Sequence, residues 1–151
     1  MIGKRTAEEI NQIVAEDLRI PYDRLWKLFV NDCETMRVSR TTLKRISSLR
    51  DTYTCILITG NMDSFTRFTV PTLKLDDYFD YINNSYFVGK HKGDNGGAQF
   101  IEYANALNVP IESCVLIDDS VKNCDLFEKL GGTAYHISPG HDVDAYLAEL
   151  S

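Results

Sequence analysis

Residues 114–123 read CVLIDDSVKN. Three branched apolar residues run straight into two adjacent carboxylates, Asp118 and Asp119. A short run that is apolar on both faces fits a buried parallel strand. The residues that follow, SVKNCDLFEKLGG, read as a helix with a glycine stop. Two negative charges at the mouth of a buried strand call for a positive partner, because an uncompensated buried carboxylate is costly.

The same grammar extends in both directions. Upstream, YTCILITGN from Tyr53 is a second apolar run, closed by Thr59-Gly60-Asn61, and a helix is predicted after it toward Leu73. Tyr81-Ile82 opens a further extended segment. AQFIEYANALNVP is a helix ended by Asn108 and Pro110. Downstream, TAYHI is a last strand and DVDAYLAEL a last helix. Strands alternating with helices predict an α/β fold with a Rossmann-like, mostly parallel sheet.

Before Tyr53 the pattern is helical throughout. Thr6 and Glu9 have capping-box spacing, with Ile10, Ile13, Val14 and Leu18 recurring behind them. Pro21 suits the first turn of a second helix, whose apolar stripe is Tyr22, Leu25, Trp26, Phe29, Val30 and Cys33. A third helix starts after Ser39 and carries Leu43, Ile46 and Leu49. This divides the chain into a helical segment, residues 1–50, and an α/β core, residues 51–151, joined in one compact unit. No internal repeat or low-complexity tract interrupts it.

The 151 residues suit one sizeable core. Hydrophobic residues at 44% and charged residues at 25% give an ordinary globular balance. A net charge of -6 argues against non-specific binding to nucleic acid or an anionic membrane. No apolar run is long enough to cross a bilayer, and the N-terminus MIGKRTAEEI lacks the apolar core of a secretory signal. Cys33, Cys55, Cys114 and Cys124 form no C-x-x-C pair, which fits free thiols in a reducing cytoplasm.

Ligands of open parallel sheets bind beyond the carboxyl ends of the strands. Thr59-Gly60-Asn61, the lysine stretch GKHKGDNGG, and Asp118-Asp119 fall at such ends. A hydroxyl with backbone N–H groups suits a phosphate oxygen, a lysine adds a point charge, and two carboxylates suit a hard cation such as Mg²⁺. Each cluster has a plainer reading. Asp119 or Ser120 could cap the next helix, Thr59-Gly60 could end a strand, Lys90 and Lys92 could be solvated, and GDNGG could be a flexible turn. The ordered combination separates the two readings better than any single member.

From about Tyr53 to Ile137 the chain resembles the haloacid dehalogenase superfamily, closest to its members with an early helical cap. ILITGN is similar to the family's second motif, which makes Thr59 the phosphate-binding hydroxyl, with Gly60 and Asn61 beside it. DYFDYINNSYFVGKHKG looks like the stretch leading to the third motif, whose lysine would be Lys92, with Lys90 as fallback. Gly93 stands where the family has a proline. CVLIDDSVKN resembles the fourth motif, whose acidic pair, Asp118 and Asp119, would bind Mg²⁺. Asn123 matches a supporting polar position. The helices before Tyr53 look like the later part of the cap.

The chain departs from the family at one point. Family members open on a strand ending in Asp-x-Asp, whose first aspartate attacks phosphorus, and no such strand is evident here. Asp32 is the one acidic candidate, but the regular stripe from Tyr22 to Cys33 sets it on a helix. Without that central strand, the strands carrying Thr59 and Asp118 must pair directly, or another strand must be supplied, or a seam stays open, the last being least credible.

The resemblance therefore implies Mg²⁺-dependent hydrolysis of a small phosphate ester through an aspartyl-phosphate, with the attacking residue unassigned. Its partners would be a small phosphorylated molecule and a second copy or partner chain. A non-catalytic phosphate- and metal-binding module, or a fragment completed by a partner strand, is the alternative. His91 and His141 read as surface residues, and His136 as packing within a strand.

Overall fold

β-Branched and aromatic runs form the strands β1 (Ile56–Thr59), β2 (Tyr81–Asn84), β3 (Val115–Asp118) and β4 (Thr133–His136). The computed structural model describes residues 2–140 and 142–150, so the surface reading of His141 lies outside the described residues. β1 pairs in parallel with β2, placing Thr59 opposite Asn84. β3 pairs in parallel with β4, placing Asp118 opposite His136. All pairing among the described residues is parallel, as the strand–helix alternation predicts. It is organised as two two-stranded sheets, however, and the direct pairing of β1 with β3 is not formed. The chain divides into two compact units, residues 1–90 and 91–151.

In the first unit, α1 (Ala7–Leu18) begins at Thr6, and both hydrogen bonds of the capping box with Glu9 are made. Its buried face is not the expected apolar stripe. Ala7, Asn11 and Ala15 are buried, while Leu18 is 63% exposed. Small residues at i, i+4 and i+8 let the helix backbone approach closely, and the Asn11 amide is satisfied by donating to the Ala7 carbonyl at 2.8 Å. α2 (Tyr22–Thr35) follows Pro21, and its apolar stripe is only half-buried. There Trp26 stacks between Tyr22 and Phe29 and meets Phe68 edge-on.

α3 (Arg40–Leu49) starts at Ser39, whose hydroxyl accepts from Thr41 and Thr42 N–H, and it buries Leu43, Ile46 and Leu49 as predicted. Leu43, Val70 and Leu75 centre the core of this unit, flanked by Leu57, Phe65, Phe79 and Ile82. The helix expected after β1 is a π-helical turn, Phe65–Thr69, running into the short α4 (Val70–Leu73). α5 (Ser85–Val88) leaves β2 directly.

In the second unit, α6 (Ala98–Ala106), α7 (Val121–Lys129) and α8 (Val143–Glu149) accompany β3 and β4. Phe100 and Phe127 meet edge-to-face at 5.0 Å and are nearly fully buried. A Cβ on Gly132 would lie 2.2 Å from the Phe127 ring, so the chain passes this core only because the residue is glycine. Tyr146 stacks on Tyr135 and donates its hydroxyl proton to the His136 carbonyl, fixing α8 against β4.

Candidate functional site

Thr59 is the last residue of β1, half-buried, and exposed Gly60 follows it. The Asn61 amide donates to Thr59 Oγ1 at 2.5 Å. An incoming donor directs the hydroxyl's own proton elsewhere, so Thr59 is set up to donate. Two residues on, the buried carboxylate of Asp63 accepts from Ala7 N–H at 2.9 Å and from Arg67 at 2.8 Å. Arg67 also forks onto Glu8. The exit of the loop is thus pinned to the first turn of α1, where a carboxylate suits the free N–H groups of a helix start.

In the second unit the answer to the paired carboxylates is a lysine. Asp118 ends β3 with its side chain 1% exposed, and Lys92 Nζ donates to its Oδ2. The other oxygen accepts from Ser120 N–H at 2.8 Å and from the Asn123 amide at 3.1 Å. Burial pushes the Asp118 carboxyl up, but the hydrogen bonds from Lys92, Ser120 and Asn123 outweigh it and hold the group below its ordinary value. Asp118 is therefore ionised and compensated.

Lys92 is presented by a turn in which His91 N–H donates to the Asp94 carboxylate and Asp94 N–H to the His91 carbonyl. A Cβ on Gly93 would stand 3.3 Å from Asn123 Oδ1, tighter than ordinary contact. Glycine at this position therefore gives Asn123 room to reach Asp118. Ser120, not Asp119, caps α7, accepting from Asn123 N–H. Asp119 is exposed. His136, expected only to pack, lies 3.2 Å through Nε2 from the Asp119 carbonyl. The signal that could have found this contact is the register, which sets His136 opposite Asp118.

Thr59, Gly60 and Asn61 lie in the first unit, and Lys92, Asp118 and Asp119 in the second. Lys90, the fallback lysine, is half-buried at the end of the first unit. Asp32 lies on α2 at an exposed position, on a helix as its spacing predicts. Among the described residues no group of three or more His, Cys, Asp or Glu side chains is placed to hold a metal ion. The donor chemistry of the acidic pair nevertheless fits magnesium. Three donors use three of the roughly four lone-pair positions on the Asp118 carboxylate, and Asp119 adds an exposed one. Magnesium takes one or two carboxylates and completes its shell with water and phosphate oxygens.

No protein-family model matches the sequence, and no curated protein matches it. Solved structures do. A HAD family enzyme from Bacteroides thetaiotaomicron, crystallised with magnesium and inorganic phosphate, superposes with a TM-score of 0.75 at 20% identity, covering 94% of this chain and 74% of that one. Its magnesium complex gives 0.73 at 21% identity, covering 94% and 74%. A predicted HAD-like family hydrolase from Porphyromonas gingivalis gives 0.75 at 21% identity, covering 99% and 75%. The likeness is one of fold: the chain has the α/β fold of the haloacid dehalogenase hydrolases. Among the described residues no helix is long and apolar enough to cross a membrane.

Proposed function

We propose that this chain is a Mg²⁺-dependent phosphohydrolase domain of the haloacid dehalogenase type, acting on a small phosphate ester. The observation that carries this is the buried, ionised Asp118 at the end of β3, held by Lys92, Ser120 and Asn123. Such a cluster keeps a carboxylate charged and oriented where a solvated charge or a bare helix cap would not need it to be. The fold likeness supports the same reading, since one of the similar enzymes was crystallised with magnesium and phosphate.

In this reading Thr59 donates its hydroxyl proton to a phosphate oxygen, with backbone N–H groups of Gly60 and Asn61 beside it. Lys92, anchored by Asp118, presents its ammonium to the phosphoryl group and compensates charge that grows during transfer. Asp118 and Asp119 hold the metal. Bound magnesium supplies further positive charge to the phosphoryl oxygens. The helical residues 1–50 serve as cap, and the four free cysteines fit a reducing cytoplasm.

The test is a phosphatase assay on the full chain with MgCl₂ and a generic aryl phosphate. Turnover lost in Asp118→Asn and kept in Asp32→Asn supports the proposal. Turnover lost in both would make Asp32 the attacking residue.

A second reading is favoured by the topology. β1 is apolar on both faces, yet all its residues are only half-buried, and β1 and β3 each have one strand neighbour among the described residues. Parallel strands of this composition are normally covered and paired on both sides. We infer that an added strand, from a second copy or another polypeptide, would supply the attacking carboxylate. Phosphate binding by the parent without turnover favours this version.

A further inference from the structure

Asn84 ends β2 directly opposite Thr59 and is 3% exposed. Its Oδ1 accepts from Tyr86 N–H at 3.1 Å, which starts α5. That commitment turns Nδ2 the other way, where it donates to the Met62 carbonyl at 2.8 Å and to Thr66 Oγ1 at 3.1 Å. Met62 follows Asn61 in the loop after β1, and its carbonyl also takes Phe65 N–H at 3.2 Å. Thr66 lies in the π-helical turn Phe65–Thr69. A π-helical turn is rare, and such turns are frequent at functional sites.

We propose that Asn84 is a positioning residue for the Thr59–Gly60–Asn61 loop, holding the loop's exit to the end of the neighbouring strand through Met62 and the π-turn. This rests on the reading of that loop as phosphate-binding. The physical argument is one of satisfaction. A buried carboxamide whose Oδ1 and both N–H donors are engaged has one rotamer, and it transmits that rigidity to what it holds. The Met62 carbonyl is fixed between Asn84 and Phe65, and Gly60 and Asn61, the two residues between β1 and Met62, have little freedom left. A helix cap alone would need only Oδ1. The two Nδ2 bonds are the feature that capping does not explain.

The test uses phosphate-dependent thermal shifts of the full chain at constant MgCl₂, with inorganic phosphate as the probe. Asn84→Ser keeps a side chain able to cap α5, adds no charge, and is too short to reach Met62 and Thr66. It is expected to raise the apparent phosphate Kd about tenfold. Thr66→Val, which removes one acceptor, is expected to raise it about threefold, and Thr66→Ser to restore the parental value. Parental phosphate affinity in Asn84→Ser overturns the proposal. If Asn84→Ser does not fold, parental affinity in Thr66→Val overturns it instead. Loss of the response in Thr59→Val with full response in Asn84→Ser removes this inference and leaves the phosphate loop standing. A parent that does not respond to phosphate removes both.

Discussion

Lys92 Nζ donates to Asp118 Oδ2, and the pair ties the His91–Asp94 turn to the end of β3. The lysine is 24% exposed and the carboxylate 1%. One partner therefore meets solvent while the other depends on protein donors for its charge. Breaking such a pair from the lysine side strands a buried anion, which costs more than the pair is worth against a neutral replacement.

Lys92→Met is accordingly expected to lose about 2–3 kcal/mol of unfolding free energy at neutral pH, below the roughly 3–5 kcal/mol of fully buried pairs because Lys92 keeps some hydration. Adding Asp118→Asn should return about 1 kcal/mol or more of that loss. Urea denaturation of the parent, the two single variants and the double variant measures the coupling. Strictly additive losses would show that the two side chains do not depend on one another.

Asp63 and Glu8 both accept from Arg67, but their settings differ. Asp63 has a side chain 5% exposed and also holds the Ala7 N–H, whereas Glu8 is 39% exposed. Asp63→Ala leaves a buried N–H and a guanidinium short of acceptors and should cost about 2 kcal/mol. Glu8→Ala removes a solvated ion pair and should cost under about 1 kcal/mol. Equal losses by thermal or urea unfolding would contradict this ranking.

Asp80 predicts a pH dependence. The Cys55 N–H holds its carboxyl below the ordinary 3.8, with burial opposing and Arg50 assisting. A carboxyl depressed by folding contributes stability that is complete above its unfolded pKa and is lost as pH falls through the folded value. Asp80→Asn should therefore cost about 1 kcal/mol at neutral pH, a modest figure because the group is partly solvated. The gap to the parent should close once the pH has dropped well below 3.8. A gap independent of pH would show that geometry, not charge, carries the contact.

Local signals made much of the fold legible. Thr6 with Glu9, and Ser39 ahead of Leu43, Ile46 and Leu49, place two helix starts and one buried face correctly because capping and periodicity act within a few residues. The α1 face was misread because Ala7, Asn11 and Ala15 are buried for close approach, and apolar periodicity scores size instead. The π-turn after β1 has no composition of its own. That β1 and β3 take separate partners is a long-range fact that no window contains. At the site, Asp118 was legible from its place at a strand end. Gly93 and His136 were not, since each matters through a contact, with Asn123 and with the Asp119 carbonyl, that only register and folding create.

The central claim is that the Asp118 carboxylate, oriented by Lys92, Ser120 and Asn123, serves a magnesium ion. Calorimetric titration of MgCl₂ into the full chain, with inorganic phosphate present, tests it most directly. The account predicts saturable binding that disappears in Asp118→Asn and persists in Asp32→Asn. Magnesium binding unchanged in Asp118→Asn, or none in the parent, would contradict it.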